Sequence, residues 1–192
     1  MNEIGHPNEE TQWIERSVSG DAEAFGCLVT KYQNRLFNSM VHFLRDETEA
    51  EDVVQESFVL SYTRLNKFRG NSSFYTWLYR IAVNTAISRQ RKKRPRVSVD
   101  RDLGDGGKGI GGAGPQPGDR LQENERAEQL HAALNRLGDE HRLILVLREI
   151  DGLSYEEISE ILDTPVGTVR SRLHRARTQL KEELASYFES KK

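Results

Sequence analysis

The segment Leu103–Gly118, LGDGGKGIGGAGPQPG, holds more than half of the chain's 15 glycines together with Pro115 and Pro117. It has too few side chains to bury a core, and such a composition behaves as flexible coil. The chain is therefore expected to fold as two pieces, residues 1–97 and 121–192, joined by a flexible linker over 98–120. A loose stretch of about 20 residues has a coil dimension of ~25 Å and a stretched reach of ~70 Å, so the pieces can engage separate targets. A phosphate-cradling glycine loop is the sharper alternative, but no GK[ST] or GxGxxG stands between a strand pattern and a helix pattern.

Apolar residues recur at helical spacing on both sides of this segment, and no strand pattern is convincing. Thr11–Val18 reads as a short helix ended by Gly20, and Asp21 caps a long one with Phe25, Leu28, Val29, Tyr32 and Leu36 inward. Thr48 with Glu51 has the spacing of a capping box, opening a helix to Leu65 with Val54, Phe58, Ser61 and Leu65 inward. Another runs from Phe74 toward Lys93 and stops before Pro95. Past the linker, Asn124–Leu137 carries Leu130, Leu134 and Leu137 in register, and Glu140–Ile150 is closed by Gly152. The fold class is all-α, with two small helical domains.

The stretch Leu153–Leu180 reads as two helices around a tight turn. Ser154 with Glu157 makes a capping box, and Ile158, Ile161 and Leu162 form an apolar stripe. Asp163-Thr164-Pro165 ends that helix, with Thr164 as cap and Pro165 at the first position of the next. There Val166, Val169, Leu173, Ala176 and Leu180 share one side, while Ser171, His174, Arg175 and Thr178 lie opposite, flanked by Arg170 and Arg172. This is a helix-turn-helix offering hydrogen-bonding tips to a groove and cations to phosphates. The plainer alternative is an α-hairpin with a solvated basic face.

Charge is divided along the chain even though its net value is only −2. The first 60 residues carry only Arg16, Lys31, Arg35 and Arg45 as cations, whereas residues 61–101 carry eleven Lys and Arg against Asp100 alone. Two basic patches in a near-neutral chain fit contact with nucleic acid in two places. Cys27 is the single cysteine and the five histidines show no ligand spacing, so neither a disulfide framework nor a metal site is expected. No leader pattern or spanning apolar run is visible, and a cytoplasmic location is expected.

Two further constellations carry chemistry. Asp52, Glu56, Val59 and Thr63 lie opposite the core side of their helix, with Gln55 at the margin. Carboxylates four apart repel and favour a cationic neighbour, although a merely solvated acidic face has the same spacing. The run FRGNSSFYTWLYRIAVN, Phe68–Asn84, is rich in aromatics, with Trp77, Arg80 and Asn84 along one helix edge. Aromatic faces beside cations stack unpaired bases, and an amide reads a base edge, although aromatics also fill cores.

Together AEDVVQESF (Ala50–Phe58), the Phe68–Asn84 run and LREIDGLSYEEISEILDTPVGTVRSRLHRAR (Leu147–Arg177) resemble the sigma factors of bacterial RNA polymerase, of the compact extracytoplasmic-function type. The resemblance implies that Asp52, Gln55, Glu56 and Phe58 dock on the β′ clamp helices of core polymerase. It assigns Phe68, Arg69, Asn71, Tyr75, Trp77, Arg80 and Asn84 to recognition and opening of the −10 element. Thr168, Arg170, Ser171, His174 and Arg175 would read the −35 element. It further implies the polymerase β subunit, promoter DNA and an anti-sigma protein as partners, with no cofactor, no small-molecule substrate and no catalysis. A stand-alone helix-turn-helix regulator is the first rival, and it would need a receiver or ligand-binding domain. A small nuclease or base-modifying enzyme would need ligand or nucleophile residues that the sequence does not present.

Overall fold

A computed structural model describes residues 9–93, 130 and 132–189, and among them every regular element is helical. The linker expected over 98–120 and the start of the helix expected over 124–137 lie outside the described residues.

Helix α1 (Glu9–Val18) ends at Gly20, whose φ of +98° is one that side chains rarely adopt. Asp21 then caps α2 (Ala22–Leu44), its carboxylate accepting the backbone N–H groups of Glu23 at 3.0 Å and Ala24 at 3.1 Å. The cap of α3 (Glu47–Thr63) differs from expectation. Asp46, not Thr48, accepts the orphan N–H of Glu49 at 2.9 Å, because Arg45 leaves α2 at a φ of +64° and turns the chain two residues earlier. A 3₁₀ turn over Leu65–Lys67 leads toward α4 (Phe74–Lys93). Phe25, Leu28, Tyr32 and Leu36, then Val54, Phe58, Ser61 and Leu65, then Phe74, Leu78 and Ile81 are buried as their spacing predicts.

In the second half, residues 132–136 are helical, with Leu134 and Leu137 buried but Leu130 exposed. Helix α5 (Asp139–Leu145) does not run regularly to Ile150. It widens into a π turn over Val146–Ile150, where the N–H of Asp151 reaches the carbonyl of Val146 at 3.0 Å. Gly152, at φ +70°, completes the return, and the N–H of Leu153 donates to Leu147 at 3.1 Å. Helix α6 (Tyr155–Leu162) opens with the expected capping box between Ser154 and Glu157. Thr164 is not a cap for α7 (Val166–Glu189). Asp163 takes a left-handed φ of +49° and turns Thr164 back, so that its hydroxyl donates to the carbonyl of Leu162 at 3.0 Å.

The described residues of the two halves share one apolar core. Leu134, Leu143, Leu147, Leu153 and Ile158 belong to the same cluster as Leu36, Met40, Phe43, Leu78 and Tyr79. Helix α6 lies on α4, and the π turn lies on α2. Arg142 pins the join. Only 1% exposed, it donates to the carbonyls of Leu134 at 3.1 Å and Leu137 at 2.5 Å. It also donates to Phe43 in the first half at 3.0 Å. The Phe43 and Leu137 carbonyls lie at or just past helix ends, and the Leu134 carbonyl also accepts the Leu137 N–H at 3.2 Å, so a buried cation is tolerated where it completes this set.

Replacing Arg142 with methionine keeps the bulk and removes its bonds to the Leu134, Leu137 and Phe43 carbonyls. It is expected to cost about 3 kcal/mol, seen as a lower urea midpoint for the whole chain. A pH series tests the start of α6. Burial raises the Glu157 pKa, but bonds from the Ser154 N–H and hydroxyl and from Thr76, with the charge of Arg35, outweigh it and leave the pKa below 4.5. A depressed carboxyl contributes stability above its unfolded value and loses it as pH falls through the folded one. Denaturation midpoints of Glu157→Gln should therefore fall less than wild type as pH drops below 4.5, with little difference in slope from pH 6 to 8.

Candidate functional site

The exposed side of α7 presents Arg170, Ser171, His174 and Arg175, while Val169, Leu173 and Ala176 are buried beneath. Thr168 is half-buried, and its carbonyl accepts the Ser171 hydroxyl at 3.0 Å. The Arg170 guanidinium lies 5.7 Å from the ring centre of Tyr155 on α6, which braces it at the surface. Arg177, further along α7, is tied to Glu149 through its Nε at 3.0 Å and terminal nitrogen at 2.6 Å.

A groove of about 460 Å³ lies between α3 and α4, with Asn84 on its wall. Leu60 and Ile81 line it with apolar surface, Arg64, Arg89, Lys92 and Lys93 bring cations to it, and Glu56 brings a carboxylate. Arg80 and Asn84 are exposed on α4, as are Arg69 and Asn71 in the preceding loop. Phe68, Phe74 and Trp77 form a ring cluster with centroids 5.3 to 5.9 Å apart, and Phe68 and Trp77 stay half-exposed at its edge.

Asp52, Gln55 and Glu56 are exposed on α3. The cationic neighbour that their spacing favours comes from the same chain. Arg89 on α4 bridges Asp52 at 2.5 Å and Glu56 at 3.2 Å, and Lys93 meets Glu49 at 2.9 Å. Phe58 does not share that surface. It is 7% exposed in the core, edge-on to Phe25 at 6.4 Å, because it falls on the inward side of α3.

Tyr75 also departs from expectation. It is 4% exposed, under the second half rather than beside Trp77. Its hydroxyl donates to Oδ1 of Asp151 at 3.2 Å, and that of Tyr79 donates to Oδ2 at 2.9 Å. Burial first, and the Asp151 charge second, push both hydroxyls above 10.0, so both remain protonated donors. The Arg35 guanidinium covers the Tyr75 ring at 4.1 Å.

Sequence patterning passed over several of these groups. Arg64, Leu60, Thr85 and Ser88 join the groove from positions that read as ordinary helix surface or core. Asp151 reads as a turn residue before Gly152, and Arg142 as a charge beside the aliphatic run Leu143–Leu147. The one usable signal was Arg142, a cation set directly before the aliphatic run Leu143–Leu147.

The chain matches the family model of Sigma-70 region 2 over residues 28–96 and that of Sigma-70, region 4 over residues 127–180. It is 40% identical to the RNA polymerase sigma-H factor of Pseudomonas aeruginosa, over 92% of this chain and 94% of that one. It is 41% identical to the ECF RNA polymerase sigma-E factor of Escherichia coli K12, over 85% and 88%. Among solved structures, CnrH in complex with the cytosolic domain of CnrY is similar at a TM-score of 0.68 and 26% identity, over 93% of this chain and 99% of that one. The sigma factor RpoE in complex with the anti-sigma factor NepR from Bartonella quintana shares the fold at a TM-score of 0.66 and 24% identity, over 84% and 96%.

Proposed function

Because the chain belongs to the extracytoplasmic-function sigma factors of RNA polymerase, we propose that α4 with its groove takes the −10 element and the outer face of α7 takes the −35 element. As a member of that family it binds core polymerase and directs it to promoters, rather than acting as a stand-alone helix-turn-helix regulator. The observation that carries the division of labour is the groove. One cavity brings together Asn84, the apolar side chains of Leu60 and Ile81, and the cations Arg64 and Lys92, parts that suit the edge, the face and the phosphate of an extruded base. Arg89 and Lys93 are tied to carboxylates of α3.

Asn84 is the base-edge reader in this scheme, and Trp77 and Phe68 offer stacking faces at the groove's approach. Arg69, Asn71 and Arg80 hold the backbone of the parted strand. On α7, Arg170, Ser171, His174 and Arg175 enter the major groove near the helix N-terminus, with Thr168 supporting Ser171. Asp52, Gln55 and Glu56 meet cationic helices of the polymerase, which must take the place of Arg89. Phe58 serves that face only by backing it from the core. Catalysis belongs to the polymerase, so the chain acts in the cytoplasm beside it, and an anti-sigma protein is its further partner. Among the described residues, no helix is long and apolar enough to cross a membrane.

Three measurements test this reading. Charge reversal at Asp52 and Glu56 should abolish co-purification with core polymerase while leaving helicity intact, since both side chains are exposed. With reconstituted holoenzyme, Asn84→Ala should relax preference at one −10 position. Permanganate footprints of a folded variant whose opening and preference are both unchanged would remove the groove from promoter recognition. Arg175→Ala should cost about 1–3 kcal/mol on the preferred −35 sequence and little on altered ones. Arg177→Ala should leave discrimination intact, because that side chain is held by Glu149. An equal loss on every −35 sequence for Arg175→Ala would mean that another face of α7 enters the groove.

A further inference from the structure

We propose that Tyr155 is a positioning residue for promoter reading, its ring holding the Arg170 guanidinium in place for the −35 element without neutralising it. This role rests on the reading that Arg170 contacts that element.

Tyr155 is the first residue of α6 and is half-buried against the apolar core. Its backbone is fixed by the capping box just before it. There the Ser154 N–H donates to Glu157 at 2.8 Å, and the Glu157 N–H donates to the Ser154 hydroxyl at 3.2 Å. Two cations meet the ring. The Arg148 guanidinium, which donates to the Leu153 carbonyl at 2.7 Å, lies 5.0 Å from the ring centre, and that of Arg170 lies 5.7 Å from it. Arg148 belongs to the π turn and Arg170 to α7, so one aromatic ties the turn before the helix-turn-helix to its outer helix.

The arginines of α7 are held in two ways. Arg177 is paired with Glu149, and that bond first, with the Tyr155 hydroxyl a smaller contributor, raises its pKa. An ion pair of this kind occupies N–H donors and cancels charge. Arg170 has no carboxylate partner among the described residues and meets the ring instead. A ring attracts a guanidinium without cancelling its charge, and leaves N–H donors for the fork that fits a guanine edge. An unbraced arginine on a helix surface samples many rotamers and loses that freedom on binding, which weakens the contact. The ring removes part of that loss beforehand. Arg175, more than one turn further along α7, is not one of the cations on this ring, so the brace acts on Arg170 alone of the two.

The test uses holoenzyme reconstituted from the full-length chain and core polymerase. It is bound to duplex promoter DNA with a randomised −35 region, and the bound fraction is sequenced at several salt concentrations. Arg170→Ala and Arg175→Ala should each flatten preference at the base pair they read, which maps the two positions. Tyr155→Leu should lower preference at the Arg170 position by about two- to fivefold and leave the Arg175 position unchanged. Tyr155→Phe, which keeps the ring, should match wild type, and Tyr155→Leu should add nothing once Arg170 is alanine. Tyr155→Met is a second ringless variant, so the outcome does not hang on one variant folding. Full preference at the Arg170 position in both ringless variants would overturn the brace while leaving Arg170 a reader. Equal fading at both positions would overturn it too, reducing Tyr155 to general support of the motif. So would a uniform loss shared by Tyr155→Phe with a lower salt slope, which would make the hydroxyl a phosphate contact. If Arg170→Ala flattens no position, the reading of Arg170 itself fails, and the brace with it.

Discussion

A carboxylate taken out of water needs donors in fixed positions, and the closed arrangement of this chain is organised around meeting that need for Asp151. Two tyrosine hydroxyls, a serine hydroxyl and a guanidinium converge on it, all from helices of the other half. Arg142 repeats the theme with the opposite sign, its buried cation ending on carbonyls of both halves. Such groups contribute less to net stability than to choice of arrangement, since any other docking of the halves would bury them unpaired. The apolar cluster running beneath them supplies the bulk of the driving force.

One consequence is that α4 serves two surfaces at once. Its Tyr75, Thr76 and Tyr79 face the second half, whereas Arg80 and Asn84 are exposed and Asn84 looks onto the groove shared with α3. At its far end Arg89 and Lys93 fold onto the acidic side of α3. That acidic side is therefore already partnered, and a polymerase helix that docks there exchanges one set of ion pairs for another. Exposed pairs of this kind are individually weak, which makes the exchange inexpensive.

Local devices were legible in the chain itself. The Asp21 cap, the Ser154–Glu157 capping box and the glycines at 20 and 152 act within a few residues, where spacing alone decides geometry. Errors arose where two local options competed. Asp46 outranked Thr48 because the left-handed Arg45 set the turn, and Thr164 was drawn to Leu162 by the left-handed Asp163. The π turn after α5, which packs on α2, left no periodic trace in the sequence.

The sequence by itself determined the helical class, the apolar faces, the helix-turn-helix and the exposed quartet Arg170, Ser171, His174 and Arg175, because helical periodicity assigns each residue a side. It also carried the family, through three stretches in fixed order. Which of two apolar-looking aromatics meets solvent was decided elsewhere. Trp77 stays at an edge while Tyr75, two residues earlier, is sealed, its ring under Tyr32 and Arg35 and its hydroxyl on Asp151, more than seventy residues away. Residues so far apart in the chain meet only when the helices pack, and neither periodicity nor composition encodes that meeting.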